Sequence, residues 1–247
     1  MSRDIARVAD LILAAAEARL QFGTDLWWRG HASGGWSLLP SVFRDGRDPM
    51  YESTIAHKFL TSAPSRHRSC PPMSDNFAWL TLMQQYRLPT RLLDWTEAPL
   101  TALYFAVTEH PRDDGAVWIL SPFILNEVQV SDDRALTFNH PEVIAASERA
   151  LGGVRGGPPA IAVTPTQIDP RMLAQQAAFT LHSQAFAVED LRQHERFVAR
   201  CGVPAGAKED ILNELALLAI HRRNLFPDLE NLALDLSSGA YGARDVD

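Results

Sequence analysis

Two short runs of the sequence combine residue types that binding and transfer chemistry needs. The first run is Trp27-Trp28-Arg29-Gly30 and the second is Asp94-Trp95-Thr96. A guanidinium pairs with phosphate oxygens in a fork geometry, and an aromatic ring stacks on another flat ring. A carboxylate or a hydroxyl can bond polar groups of a ligand. These two runs therefore hold the candidate functional residues.

Each of these residues also has a purely structural interpretation, and both interpretations remain open. Arg29 can pair with Asp94 and so join two segments of the chain, a contact that would be strongly missed if one partner were lost from a buried site. The tryptophans of both runs are typical of a hydrophobic core. Thr96 lies close to the expected start of a helix and is suited to cap it.

The hydrophobic pattern predicts the elements that position the two runs. Helices are predicted at residues 5–21, 51–62, 76–86, 98–110, 205–220 and 227–236, of which 98–110 is strongly apolar. Buried strands are predicted at residues 25–30, 116–120, 160–165, 178–182 and 196–201. Between residues 121 and 159 the pattern weakens, and the glycines and prolines of 152–159 indicate a surface loop.

This mixture of elements predicts an α+β fold with a small mixed central sheet flanked by helices. The sequence shows no linker long enough to separate two domains, so residues 1–247 are expected to form one domain. Within it, residues 22–122 are the expected core, and residues 123–247 are expected to pack on the same core. The tail after Ser237 is expected to be frayed.

Composition excludes several classes of function. The formal net charge is -7, so the chain as a whole offers no basic surface for nucleic acid. Cys70 and Cys201 are too few and too far apart for a disulfide framework, and the histidines lack metal-ligand spacing, so no metal is expected. No apolar run is long enough to span a membrane and the first 21 residues resemble no signal peptide, so a cytoplasmic location is expected.

The residues around both runs resemble the FRG domain, a family named for an aromatic-Arg-Gly motif. The resemblance rests on Trp28-Arg29-Gly30, Trp36–Ser41 and Arg44, then on Gln85-Tyr86, Leu88–Thr96, Pro99 and Ala102–Val107, and more loosely on Arg171, Gln175, Phe179 and Leu225–Leu229. One departure concerns Gln85, which stands where proteins of this family would carry a histidine. An amide bonds a ligand but does not move protons at neutral pH.

The arrangement also resembles the plan of ADP-ribosyltransferases, which implies NAD as a co-substrate. That resemblance assigns catalytic roles to Arg29, Asp94, Thr96 and Gln175 and cofactor-binding roles to Arg29, Gly30, Trp95 and Tyr104. It also implies a glutamate on a later strand, for which the chain offers Gln175, Gln176, Glu189 and Glu195. The implied function is an ADP-ribosyltransferase or NAD glycohydrolase acting on a nucleic-acid or protein acceptor, as a bacterial toxin or in phage defence.

Two non-catalytic alternatives remain open beside the enzyme. A ligand- or nucleic-acid-binding module predicts a basic rim built from Arg44, Arg47, Arg66, Arg68, Arg87 and Arg91. A structural or interaction domain predicts that the polar residues of both runs are buried and paired with one another, with no cleft. The enzyme predicts a cleft that joins Arg29, Asp94, Thr96 and Gln175. No membrane partner is expected, and the sequence assigns no oligomeric state.

Overall fold

One sheet organises the part of the chain described by the computed structural model, residues 3–167 and 169–237. Its six strands are β1 (Trp27–His31), β2 (Leu92–Thr96), β3 (Gly115–Leu120), β4 (Ala160–Val163), β5 (Ala177–His182) and β6 (Val198–Val203). They lie in the order β4-β5-β2-β1-β3-β6. Strands from the second half of the chain therefore form both edges of the sheet.

The sheet, with the helices around it, confirms the predicted α+β class. Where the sequence predicts a mixed sheet, all the strand pairings are antiparallel. Pairing of β5 with β2, and of β6 with β3, joins strands from the second half of the chain to strands from the first half. The boundaries expected at residues 22, 122 and 247 stay a prediction.

The two central strands are held together at a single pair of residues. β1 pairs with β3 along its whole length, and β2 pairs with β5 in the same way. Between β1 and β2 the register contains only Trp28 with Thr96. Beyond that pair Arg29 and Gly30 separate from the facing part of β2, so the sheet opens at its centre.

The helices lie at α1 (Val8–Phe22), α2 (Pro49–Ser62), α3 (Asn76–Gln85), α4 (Pro99–Val107), α5 (Pro122–Val130), α6 (Pro141–Leu151), α7 (Pro170–Ala174), α8 (Lys208–Leu217), α9 (Arg222–Leu225) and α10 (Leu229–Ser237). Helices α1, α4 and α8 share a core with Trp28 of β1 and with β3 and β6. Helices α2, α3 and α6 share a second core with Leu92 of β2 and with β4 and β5. Trp28 pairs with Thr96, and Thr96 lies four residues after Leu92 on β2, so the side chains of all three point to the same face of the sheet. Both helix groups therefore cover that face.

Helices α5 and α6 occupy the region where the sequence pattern predicts little structure. Each begins with a proline, Pro122 and Pro141, which resembles a breaker in the sequence but fits the first position of a helix. His140 then caps α6 by accepting a hydrogen bond from the Glu142 backbone amide. These two helices were therefore not predicted from the weak hydrophobic pattern between residues 121 and 159.

Two further predictions concern membrane-spanning helices and the C-terminal tail of the chain. Within the described ranges no helix combines the length and the apolar character that crossing a membrane requires. The tail after Ser237, expected to be frayed, lies outside the described residues.

Candidate functional site

A cavity of about 450 Å³ opens where β1 and β2 separate, between the two groups of helices. Its volume lies within the range of small-molecule sites. Six of the seven predicted site residues line it: Arg29, Gly30, Asp94, Trp95, Thr96 and Gln175. The seventh, Tyr104, is buried in the core between α4 and α8 and is not among the lining residues. The structure thus brings together the cleft that the enzyme hypothesis predicts.

Arg29 is fixed by the backbone of β2 and by a neighbour on its own strand. Its Nη1 donates to the Asp94 carbonyl oxygen at 2.5 Å, and its Nε donates to Nε2 of His31 at 2.9 Å. The Asp94 carboxylate lies farther away, 3.8 Å from Nη1. Arg29 therefore bridges the opening between β1 and β2, as the structural interpretation predicts, and still faces the cavity.

His31 must be neutral to hold Arg29 in this way. Its Nδ1 lies 3.1 Å from the Trp36 carbonyl oxygen, which can only accept a proton, so Nε2 is left as the acceptor for Arg29. Burial, with the Arg29 charge beside it, lowers the pKa of His31 to about 3. His31 is a buried support behind the cavity.

The Asp94 carboxylate faces the cavity and is oriented from α3. Gln84 donates from Nε2 to Asp94 Oδ2 at 2.8 Å, and its Oε1 accepts from the Thr90 hydroxyl at 2.6 Å. The Thr90 hydroxyl in turn accepts from the Leu92 backbone amide. This relay fixes one carboxylate oxygen, while the side chain as a whole remains 53% exposed. Gln84 was not among the predicted site residues, because only the fold brings the end of α3 against β2.

Gly30 is required by packing between β1 and α4. A Cβ at this position would overlap the carbonyl oxygen of Ala102 and would lie 2.7 Å from the Ala106 backbone nitrogen. Ala102 and Ala106 are themselves fully buried on the face of α4 that meets the strand. The glycine of the aromatic-Arg-Gly motif therefore lets α4 approach the floor of the cavity.

Thr96 and Gln175 join the cavity to the C-terminal part of the chain. The Thr96 hydroxyl donates to the Gln175 carbonyl oxygen at 2.6 Å and accepts from the Ala98 backbone amide at 3.0 Å. The Gln175 amide donates to the Leu225 carbonyl oxygen at 2.9 Å. Thr96 therefore bonds the amide of Ala98, which precedes α4, and not an amide of the helix, so the predicted capping role of Thr96 is wrong. Gln175 is held by α9.

The aromatic rings at the cavity differ in how much surface they offer to a ligand. Trp95 is buried, and its Nε1 donates to the Thr180 hydroxyl in the core beneath the sheet. Trp36 is 44% exposed, lines the cavity, and meets the rings of His31 and His110 edge to face. Among the aromatic residues of the FRG-like segment, Trp36 is therefore the best placed to stack on a planar group.

Charged side chains from both helix groups face the cavity. Arg87, just after α3, and Arg171 of α7 line it together with Arg29, and the acidic lining residues are Asp94 and Glu109. Burial lowers the pKa of Arg171, Arg87 lowers it further, and Asp94 acts in the opposite direction. Sequence analysis assigned neither Arg87 nor Arg171 to the catalytic set, although the family resemblance includes Arg171.

The later glutamate implied by the enzyme hypothesis does not reach the cavity. Both carboxylate oxygens of Glu189 accept from the Leu38 backbone amide, and Glu195 lies beside His194. Gln176 adopts a left-handed backbone conformation at the turn before β5. None of these three is among the residues that line the cavity.

The predicted basic rim is wrong for Arg91. That side chain is 1% exposed and pairs with Glu52 at 2.8 Å inside the fold. Of the other predicted rim residues, Arg87 lines the cavity, and Arg44 donates to the Leu39 carbonyl oxygen. Within the described residues, no group of three or more His, Cys, Asp or Glu side chains is placed to hold a metal ion.

Comparison with protein-family models matches residues 24–115 to the FRG domain. No curated protein and no solved structure matches the chain. The matched segment contains β1, β2 and α4, and so supplies the floor of the cavity with Arg29, Gly30 and Asp94. Arg171 and Gln175 come from outside it.

Proposed function

We propose that the central cavity of this chain, whose residues 24–115 match the FRG domain, binds NAD and cleaves the bond between nicotinamide and ribose. The protein would act as an ADP-ribosyltransferase or as an NAD glycohydrolase. One observation carries the proposal: Arg29, Asp94, Thr96 and Gln175, from three separate parts of the chain, all line one cavity.

Asp94 is the group best suited to assist the reaction. Nicotinamide leaves with the electron pair of the C1′–N bond, and positive charge develops on the ribose in the transition state. A carboxylate beside that charge stabilises it. The acceptor, either water or a nucleophilic group of a macromolecule, then forms its bond to C1′ and releases its proton to Asp94 or to solvent. The oriented and partly exposed Asp94 takes the place of the predicted glutamate.

Other lining residues would bind and orient the substrate. Arg29 presents its guanidinium beside Asp94 and suits the diphosphate, while the exposed ring of Trp36 suits one of the planar bases. Gly30 acts indirectly by allowing α4 to pack beneath the site. The acceptor class is a nucleic acid or a protein. Consumption of NAD, or modification of such an acceptor, fits the role of a bacterial toxin or of a phage-defence protein.

A ligand-binding module without catalysis is the second candidate, and one observation favours it. The Gln175 amide is already bonded to the Leu225 carbonyl oxygen, and the candidate glutamates Glu189 and Glu195 lie outside the cavity. Such a module would bind the same anionic ligand and release it unchanged.

Binding and turnover of NAD by purified protein test the proposal. We expect the wild type to bind NAD and release nicotinamide, and Arg29→Ala to lose both while circular dichroism shows that it is folded. Arg196→Ala is the matched control, because Arg196 is an exposed arginine paired with Glu127 and does not line the cavity. Binding without nicotinamide release would favour the non-catalytic module. If the wild type neither binds NAD nor releases nicotinamide, both candidate functions are refuted for NAD.

A further inference from the structure

Arg87 and Arg171 are arginines of the cavity without a hydrogen-bond or ion-pair partner for the guanidinium in the described part of the chain. Both line the cavity, and neither guanidinium donates a hydrogen bond or forms an ion pair with any residue in ranges 3–167 and 169–237. A guanidinium carries five N–H donors in a rigid fork. Two such groups beside one cavity offer many unused N–H donors to the oxygen atoms of a ligand.

Arg29 cannot supply that capacity alone. Its Nε is engaged by His31 and its Nη1 by the Asp94 carbonyl oxygen, so Nη2 is the nitrogen that remains for a ligand. Arg29 therefore connects β1 to β2 and keeps one donor group, Nη2, for a ligand. A multidentate anion in the cavity must obtain most of its hydrogen bonds from other residues.

The fold holds Arg87 and Arg171 near each other despite their like charge. Arg87 sits in a left-handed backbone conformation, φ 61°, directly after α3, with its amide bonded to the Gln84 carbonyl oxygen. The Arg171 guanidinium lies 4.5 Å from the centre of the Phe226 ring, which limits where it can point. The Arg87 charge lowers the pKa of Arg171, which burial already lowers, and Asp94 acts on that pKa in the opposite direction.

The charges that line the cavity do not balance. Arg29, Arg87 and Arg171 face two carboxylates, those of Asp94 and Glu109. The cavity therefore carries net positive charge within a chain whose formal net charge is -7. Like charges gathered in a partly desolvated site are favoured when a bound anion compensates them.

We propose that Arg87 and Arg171, together with the free Nη2 of Arg29, form a subsite for a diphosphate group. The proposal rests on the proposed function and identifies where the diphosphate of a dinucleotide substrate is held. A diphosphate fits better than a single carboxylate because its several oxygens can accept from two forks at once. Arg87 and Arg171 are thus substrate-binding residues that come from two separate parts of the chain, the segment just after α3 and helix α7.

Calorimetry with inorganic pyrophosphate as the probe tests this subsite directly. We expect wild-type protein to bind pyrophosphate at least about tenfold more tightly than inorganic phosphate, because the second phosphate adds charge-assisted hydrogen bonds. Arg87→Gln and Arg171→Gln should each weaken pyrophosphate binding about tenfold to a hundredfold. Arg196→Gln, an exposed arginine outside the cavity, should leave it unchanged.

Two results would overturn the subsite: equal binding of phosphate and pyrophosphate by the wild type, or pyrophosphate binding in folded Arg87→Gln and Arg171→Gln that equals the Arg196→Gln control. Arg171→Lys, which keeps the charge but not the fork, covers the case in which Arg171→Gln fails to fold; it should also bind more weakly than the wild type. Pyrophosphate binding without nicotinamide release would retain the subsite and refute the enzyme. Undiminished nicotinamide release by both glutamine variants would retain the enzyme and refute the subsite.

Discussion

Two arginine–carboxylate pairs, one at the start of β2 and one between β1 and the middle of β2, differ in almost every physical respect. Arg91, just before β2, donates to Glu52 from its backbone amide at 2.9 Å and from its Nε at 2.8 Å, and the side chains are 1% and 2% exposed. Arg29 lies 3.8 Å from the Asp94 carboxylate, which is 53% exposed. One pair is sealed inside the fold, and the other borders a cavity.

The difference separates a structural contact from a functional one. Burial raises the pKa of Glu52, and Arg91 opposes that rise through its charge and its hydrogen bonds, so each partner depends on the other. Asp94 uses one oxygen to accept from Gln84 and does not need Arg29 for its orientation. A charge that is oriented without being neutralised by a close partner is available to a ligand.

The largest effect that would test this comparison is expected in the sealed pair. Glu52→Gln leaves the Arg91 charge buried without its counter-ion, and we expect a loss of about 3–5 kcal/mol in the free energy of unfolding. Urea denaturation measures it. Glu127→Gln, which alters an exposed pair with Arg196, should change stability by less than about 1 kcal/mol. Equal effects of the two substitutions would remove the distinction between sealed and open pairs.

Asp94→Asn should show the opposite behaviour, with activity lost and stability kept. The amide keeps the shape and can still bond Gln84, so we expect a change in stability within about 0.5 kcal/mol. Under the proposed function, nicotinamide release should fall about 100-fold or more, since a transition-state charge loses its partner. Combined kinetics and urea denaturation decide the case. A large loss of stability would place Asp94 with Glu52 as a structural residue.

Gly30→Ala probes the floor of the open region through packing rather than charge. The added methyl group would overlap the Ala102 carbonyl oxygen, so we expect α4 to shift and stability to fall by about 1–3 kcal/mol. Gly35→Ala is the matched control, because a Cβ there meets no atom within 4 Å. Thermal melting of both variants measures the difference, and equal melting temperatures would show that β1 and α4 are not tightly packed.

Lowering the pH should weaken the hydrogen bond by which neutral His31 supports Arg29, whereas this bond should be unaffected at neutral pH. His31 has a folded pKa of about 3, below the 6.5 of an unfolded histidine, so the unfolded chain binds more protons between those values. Stability contributed by neutral His31 is therefore complete above about pH 6.5 and is lost as the pH falls toward 3. Where the unfolded chain binds one proton more than the folded chain, the free energy of unfolding falls by about 1.4 kcal/mol per pH unit.

His31→Gln provides the comparison for this pH dependence. Urea denaturation at several pH values should give a flatter profile for the variant than for the wild type between pH 6.5 and 4. His182, whose burial also lowers its pKa to about 3, remains in both proteins and contributes equally to the two profiles. Parallel profiles would mean that His31 is not held neutral.

Local pattern was sufficient for much of the fold and for the two runs at the centre of the site. Helix α4 and strands β3 and β5 lie close to their predicted positions, because apolar periodicity and turn residues act over short distances. Helices α5 and α6 were missed because their starting prolines resemble breakers. The sheet order was not accessible from the sequence, since strand pairing depends on contacts far apart along the chain.

The sequence by itself determined which residue types could do chemistry, and it placed Arg29 and Asp94 in the runs that form the cavity. Only the tertiary structure decided the state of each arginine: Arg91 sealed against Glu52, Arg29 tied to β2, and Arg87 facing the cavity with Arg171. The reason is physical. Residue type fixes charge and donor geometry, but burial and partners are set by elements that meet in space.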